Sequence, residues 1–360
     1  MGGCYRWHGS ATFVPCSARP RGRGWSSVGP RMVAHDDQVV AVAASARVGR
    51  QRQGYLLATM AFLAWGLLPP YWQMLQPAST AEIVAHRVVW AFGFLVVAVS
   101  ARRTWRLVAR ILAELRRLGG VALAAGAAAT EWAAFVYGVV ADRVVEVALG
   151  YFLHPMATVL LSVVVTGDRL TRRQVRAGAI AVSAVALFAA DHGSLPLLAF
   201  TVAAVAATYD LTMKRLGLPE LEGLAIQTAL LAVPASVYIV VLANQGALSF
   251  ANGDAGHRLM LVGAGVATAG PLLLFAAALN HAPLAGIGMA HFVTPLTQLV
   301  IGALVLREAV SPIQWTGFAV LCAALVMFSH ASYVDVRRIA PASSIIQGAR
   351  GWPILSDEGA

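Results

Sequence analysis

Charged side chains inside long apolar stretches are the residues of this sequence best suited to chemistry. Glu131 lies near the middle of one stretch, and His86 and Arg87 follow Glu82 in another. A charge at the bilayer centre costs about 2.5–3.5 kcal/mol on insertion scales, so each needs a partner or a function. Glu131 is a candidate for binding a coupling proton or a cationic substrate, and Arg87 for pairing with Glu131 or an anionic substrate group. The structural alternatives are a Glu131–arginine pair, an Arg87 that reaches the outer interface, and a Glu82–His86 bond within one helix.

Aromatic and imidazole side chains next to prolines form a second group of candidates. Tyr151 and His154 precede Pro155, and His291 precedes Pro295 by four residues, as Tyr151 precedes Pro155. A proline inside a helix removes a hydrogen bond and bends the helix, so that carbonyl groups can line a cavity. These side chains are either substrate contacts or packing between helices. The predicted substrate-binding set is Trp65, His86, Arg87, Glu131, Trp132, Tyr151, His154, Tyr209 and His291, with Pro155 and Pro295 as hinges.

Other polar and aromatic residues are interpreted as structural. Tyr71 and Trp72 are typical of an aromatic belt at the membrane interface. Asp210 precedes Lys214 by four residues, which favours a local ion pair on one helix.

Composition places the chain in the membrane. Of its 360 residues, 58% are hydrophobic and 12% are charged, whereas soluble domains carry about 25% charged residues. The net charge of +10 comes mainly from arginines between apolar runs, a pattern typical of topology anchors rather than of nucleic-acid binding. The three cysteines have no metal-ligand or disulfide spacing. No nucleophile–base set is recognisable, so the prediction is a protein that is not an enzyme and uses no cofactor.

Apolar runs of about 20 residues predict an all-α integral membrane protein with ten transmembrane helices. A disordered cytoplasmic tail over 1–53 precedes them, and a cytoplasmic C-terminal tail over 334–360 follows. The predicted spans are 54–72, 82–101, 119–140, 147–167, 173–191, 194–213, 222–243, 257–281, 284–306 and 312–333.

A repeated segment organises these spans. Residues 151–188 match residues 291–328 at a constant offset of 140, and the matches include rare residues: Pro155 with Pro295, Asp168 with Glu308, and Gln174 with Gln314. Repetition in an apolar chain is typical of transporters. The sequence therefore predicts two five-helix repeats, over 54–191 and 194–333.

The arginines predict how the repeats are oriented. Six arginines lie in residues 102–119 and four in residues 168–176, whereas residues 244–257 contain none. Positive charge favours the cytoplasmic side, so both termini are predicted to be cytoplasmic. Because each repeat contains five helices, the second is inserted upside down relative to the first.

Several segments resemble the RarD-type permeases of the EamA family, in the drug/metabolite transporter superfamily. The resemblance covers roughly residues 52–335, and its segments are Gly54-Tyr55-Leu56-Leu57 with Trp65-Gly66, Glu82-Ile83-Val84-Ala85-His86-Arg87-Val88-Val89-Trp90, Leu149-Gly150-Tyr151-Phe152 with Pro155, and Gly193-Ser194-Leu195-Pro196. Glu131 and His154 depart from the family pattern, which often has Asn at both positions, and Gln227 stands where an acid is common. The resemblance implies a ten-helix inner-membrane carrier with two inverted repeats, and the RarD name is associated with chloramphenicol sensitivity or resistance.

The predicted function is that of a secondary active transporter, or permease, in the bacterial inner membrane. It would export a small metabolite or drug by alternating access, with the lipid bilayer as its surroundings and protons as candidate coupling ions. The alternative is a membrane scaffold or sensor that transports nothing.

Overall fold

In the computed structural model the chain is all-helical over the residues described, which are 31–167, 170–279, 281–282 and 288–328. By its internal contacts the chain divides into residues 1–49 and residues 50–360, and the contacts described below lie in the second unit. The helices are α1 (Arg31–Gly66), α2 (Leu68–Gln73), α3 (Thr80–Arg102), α4 (Trp105–Ala113), α5 (Leu115–Val140), α6 (Val144–Thr166), α7 (Arg172–His192), α8 (Leu197–Leu216), α9 (Glu220–Asn244), α10 (Ser249–Asn252), α11 (Ala255–Leu279), α12 (Val293–Val300) and α13 (Pro312–Phe328). A 3₁₀ helix, Gly288–Phe292, precedes α12, and a π-helical turn, Ile301–Val305, follows it.

Seven of these helices are long and apolar enough to cross a membrane: α3, α5, α6, α7, α8, α9 and α11. They coincide with seven of the ten predicted spans, and two shorter apolar helices, Ala290–Val305 and Pro312–Phe328, overlap the last two. Large apolar side chains point outward along them, as at Val164, Val182 and Leu259, which are at least 70% exposed. Outward apolar surface of this kind suits contact with lipid. The predicted class, a multi-pass all-α membrane protein, is confirmed, whereas the count of ten spans stays a prediction.

The N-terminal part differs from its prediction. Residues 1–53 were expected to be disordered, but α1 begins at Arg31. Residues 32–48 contain neither glycine nor proline and several alanines, a composition that favours helix over disorder. Residues 1–30 and the predicted tail 334–360 lie outside the described residues.

Close helix packing depends on glycine at two crossings. A Cβ on Gly150 of α6 would lie 2.7 Å from the carbonyl oxygen of Ala199 in α8. A Cβ on Gly265 of α11 would lie 2.5 Å from the carbonyl carbon of Trp90 in α3. Small residues allow such close approach between membrane helices. In addition, α3 packs against α9, α5 against α8 and α9, and α6 against α12.

Local structure recurs at the predicted offset of 140 residues. Gly167 and Arg307 both have positive φ, at 75° and 58°, after α6 and after the π-helical turn. At the start of α7, the Gln174 amide N–H lies 3.4 Å from the Thr171 hydroxyl, and the Gln174 side chain accepts from the Thr171 amide. At the start of α13, the pair Ser311 and Gln314 makes the same two contacts, at 3.1 and 3.3 Å. The matched glutamines therefore have the same capping function, while Asp168, the match of Glu308, lies outside the described residues.

Connections far apart in sequence meet through polar side chains. The Gln73 side chain donates to Asp142 at 2.9 Å, and the Ser311 hydroxyl donates to Asp191 at 2.6 Å. Glu308 accepts from the amides of Val144 and Val145 at 2.6 and 2.8 Å. All these residues belong to connections that the arginine pattern predicts to be extracytoplasmic. We call the part of the protein formed by these connections the outer end.

Candidate functional site

Arg87 is the most unusual side chain in the described part of the chain. It lies on α3 and is 4% exposed. Its Cζ atom lies 5.0 Å from the ring centroid of Trp72 in α2 and 4.6 Å from that of Trp132 in α5. Its Nε and Nη1 atoms are buried without a hydrogen-bond acceptor among the described residues. Arg87 is thus a cation held by two aromatic rings and does not reach the interface as its structural alternative required.

Glu131 lies next to this arginine but is held by another residue. The Tyr151 hydroxyl of α6 donates a hydrogen bond to Glu131 Oε1 at 3.0 Å. Arg87 and Glu131 interact electrostatically, yet they form no ion pair within 4.0 Å, the limit that the other ion pairs of the described region meet. Tyr151 also packs edge-on against Phe135 of α5. The alternative of a direct Glu131–arginine pair is therefore not what the structure shows.

A second cluster of titratable side chains continues from Glu131 along α6. The His154 Nε2 atom lies 2.9 Å from the Asp210 Oδ2 atom of α8. The His154 ring is 5.5 Å from the ring of His291 in the 3₁₀ helix. Glu131 interacts electrostatically with both His154 and Asp210. Four predicted residues, Arg87, Glu131, Tyr151 and His154, thus form one connected polar set with Asp210.

An aromatic cluster adjoins this set through His291. The His291 ring lies 4.8 Å from Phe62 of α1, and Phe62 packs against Trp65 and against Phe275 of α11, both at 5.5 Å. Trp65 therefore reaches the polar set through Phe62 and His291. Tyr209 lies beside Asp210 on α8 and is partly buried.

The two predicted hinge prolines lie close to these side chains. Pro155 is inside α6 directly after His154. Pro295 is the third residue of α12, four residues after His291. Next to it, the Thr294 hydroxyl donates to the Phe62 carbonyl oxygen at 2.7 Å, which ties α12 to α1.

His86 is the one predicted residue that lies with a different group. Its ring stacks on Phe250 of α10 at 5.0 Å and accepts a hydrogen bond from the Trp90 indole at 3.2 Å. Its Nε2 atom lies 4.0 Å from Glu82 Oε1, the oxygen that accepts from the Ser249 hydroxyl at 2.8 Å. His86 therefore belongs to a buried cluster with Glu82 and α10, next to the outer end.

Two residues of the site were interpreted differently from the sequence. Trp72 was expected in an interfacial belt, but it is fully buried against Arg87. The signal for its burial is Pro69-Pro70, where α1 ends and the short α2 begins. Asp210 was expected to pair with Lys214, whereas the structure places it against His154. No spacing rule connects Asp210 with His154, because they are 56 residues apart and meet through the packing of α6 on α8.

A cavity of about 400 Å³ at the outer end is separate from this site. It is lined by Asp142, Arg143, Glu146, Arg307 and Glu308, among others, and by none of the predicted binding residues. Its charges are already engaged: Arg143 pairs with Glu146, Glu146 accepts from the Leu198 amide, and Glu308 accepts from two amides. The unpaired donors of Arg87 therefore mark the better candidate for a ligand site. Within the described ranges, no group of three potential metal ligands occurs.

Comparison with known proteins gives the family. No family model matches the chain. It is 37% identical over 288 residues to the protein RarD of Streptomyces exfoliatus, a match that covers 80% of this chain and 91% of the relative. It is 32% identical over 282 residues to the uncharacterized transporter YojE of Bacillus subtilis, covering 77% and 94%. It is also 32% identical over 275 residues to the chloramphenicol-sensitive protein RarD of Pseudomonas aeruginosa, covering 73% and 89%. The chain therefore belongs to the RarD-type permeases, a family of membrane transporters.

Proposed function

We propose that this protein is a secondary active transporter that exports a small metabolite or drug across the bacterial inner membrane by alternating access. The observation that carries the proposal is Arg87, a buried cation with two unpaired nitrogens between two tryptophans. A buried donor without an acceptor costs about 1–3 kcal/mol, and more when it is charged. Such a cost is understandable at a site that binds a ligand during each transport cycle.

The proposed architecture is ten spans in two inverted repeats. It is supported by the recurrence of a left-handed residue and a capping pair at the offset of 140 residues. It is also supported by the contacts at the outer end, since each joins connections that an alternating ten-span chain places on one side. Both termini would then be cytoplasmic.

The proposed movement is a rocking of the two repeats about the polar set around Glu131. Pro155 and Pro295 lie in equivalent positions of the repeats, next to His154 and Thr294. Glu308, in the second repeat, joins the outer end through the amides that begin α6, in the first. Opening toward the outside would break this contact.

Protons are the proposed coupling ions. Glu131, His154 and Asp210 lie close enough to interact electrostatically, and all three can exchange a proton. A proton bound to this cluster changes the charge next to Arg87, which links protonation to ligand binding.

The test compares solutes inside and outside cells that contain or lack the protein. Transport predicts at least one solute that is depleted inside and enriched outside only when the protein is present. Replacement of Arg87 by Ala should abolish the difference, whereas Arg173→Ala, which changes an exposed arginine at the start of α7, should preserve it. Collapse of the proton gradient should stop export, and unchanged export would refute proton coupling.

Absence of any differing solute would refute the transport proposal. The same result, with an Arg87→Ala variant that behaves like the wild type, would favour the alternative of a scaffold or sensor.

A further inference from the structure

We propose that the solute is an organic anion and that Arg87 binds its carboxylate or phosphate group between Trp72 and Trp132. This inference rests on the proposed transport function and names the chemical class of the substrate. Its basis is a cation that is 4% exposed and has no acidic side chain within ion-pair distance among the described residues. A buried charge without a partner is costly, so an anionic ligand gains most of its binding energy there.

The two tryptophans determine how the anion approaches. They cover the guanidinium at 5.0 and 4.6 Å, so an acceptor can reach it only at its edge, in the plane of the group. A guanidinium has two forks of paired N–H groups, and each fork contains one of the unpaired atoms, Nε or Nη1. Carboxylate and phosphate groups fit such a fork with two parallel hydrogen bonds.

Glu131 is kept from neutralising Arg87 by Tyr151. The Tyr151 hydroxyl donates to Glu131 at 3.0 Å, and this bond directs the carboxyl group away from ion-pair distance of the guanidinium. Tyr151 is therefore a positioning residue. Its removal should allow Glu131 to turn toward Arg87 and compete with the anion.

The aromatic cluster around Phe62 favours an acid with an apolar body. Phe62, Trp65 and Phe275 pack together, and His291 connects them with His154 and the polar set. Arg87 would hold the acidic group, and apolar side chains would contact the rest of the molecule.

Binding to the purified full-length protein tests this inference with probes matched in shape. Benzoate and phenyl phosphate are the acids, benzamide is the neutral counterpart of benzoate, and benzylamine is the cation. Quenching of tryptophan fluorescence and the shift of the thermal unfolding midpoint report binding. We expect both signals with at least one acid and with neither the amide nor the amine, and the preferred acid distinguishes carboxylate from phosphate recognition.

Variants separate a direct contact from a general effect of charge. Arg87→Met should weaken the acid by about 30-fold or more, since truncating a buried hydrogen-bonded charge costs at least about 2 kcal/mol. Arg173→Met is the matched control and should bind as the wild type does. Tyr151→Phe should weaken the acid, and Glu131→Gln should restore binding to the Tyr151→Phe variant, because a neutral amide does not compete for Arg87.

Two outcomes overturn the inference: no acid binds, or acid and amide bind equally to the wild type. These wild-type results hold even if Arg87→Met fails to fold. The failure of transport is distinguishable: export of a neutral or cationic solute refutes the anion and leaves transport, whereas acid binding without export of any solute refutes transport and leaves the site.

Discussion

Glu308 gives the sharpest prediction about stability. Its two carboxyl oxygens accept from the first amides of α6, Val144 at 2.6 Å and Val145 at 2.8 Å. Glu308 thereby caps a helix that begins 164 residues earlier in the chain. Replacement by Ala removes both bonds and leaves two amides at the helix start without an acceptor.

The expected magnitude follows from these two bonds. A hydrogen bond to a charged group contributes about 1.5–3 kcal/mol, which gives an upper figure of about 3–6 kcal/mol for the pair. Burial of the carboxyl group opposes the charged form and reduces this gain. We therefore expect Glu308→Ala to lower the free energy of unfolding by about 2–3 kcal/mol, the size of a strong helix cap. Glu308→Gln, which keeps one acceptor oxygen, should cost about half as much.

Denaturant titration of the purified protein in lipid–detergent micelles measures this difference. Glu114→Ala is the matched control, because Glu114 pairs with Arg117 at 2.5 Å while both side chains are about half exposed. Exposed ion pairs contribute less than about 1 kcal/mol. Equal losses for Glu308→Ala and Glu114→Ala, or no loss for either, would refute the capping function of Glu308.

Three further predictions concern α11, pH and the capping pairs. Gly265→Ala should destabilise the protein because its Cβ meets the Trp90 backbone at 2.5 Å, whereas Gly270→Ala in the same helix has nothing within 4 Å and should be neutral or stabilising; unfolding titrations that rank them the other way refute the packing argument. Burial raises the pKa of Glu308 despite its two amide bonds, so its stabilising contribution should be complete below the ordinary carboxyl pKa and be lost as pH rises through the raised value; the wild-type minus Glu308→Gln difference measured across this range should fall, and a rise would contradict it. Thr171→Ala and Ser311→Ala should each cost about 0.5–2 kcal/mol, and a loss at only one of the two positions would argue against their equivalence.

The fold class was predictable because it depends on composition and on run length. Low charge and long apolar runs require helices in a bilayer, since every backbone group must be bonded within its own segment. The capping glutamines were also visible as a pair, Gln174 and Gln314, although the sequence did not reveal that they cap helices. The helical state of residues 31–53 was missed because arginines and small residues read as a tail.

The site was predictable only in its charged members. Glu131 and Arg87 stand out because a charge is rare in an apolar run. Trp72 and Asp210 do not stand out, since a tryptophan near a helix end and an acid four residues from a lysine both have common local explanations. Their partners, Arg87 and His154, are contributed by other helices, and no local pattern records contacts made by packing.

The chemistry of the two ends bears on how the proposed transporter would be controlled. At the outer end, the contacts between distant connections are polar and charged, as with Glu308, Asp191 and Asp142. Toward the opposite end, Gly54 lies so close to Ala282 that a Cβ on Gly54 would be 2.6 Å from the Ala282 Cβ. Polar contacts weaken with protonation and salt, whereas close apolar packing does not. If the repeats rock as proposed, low pH and high salt should therefore favour opening toward the outside, and labelling of a cysteine placed at Ala309, which lines the outer cavity, should then become faster.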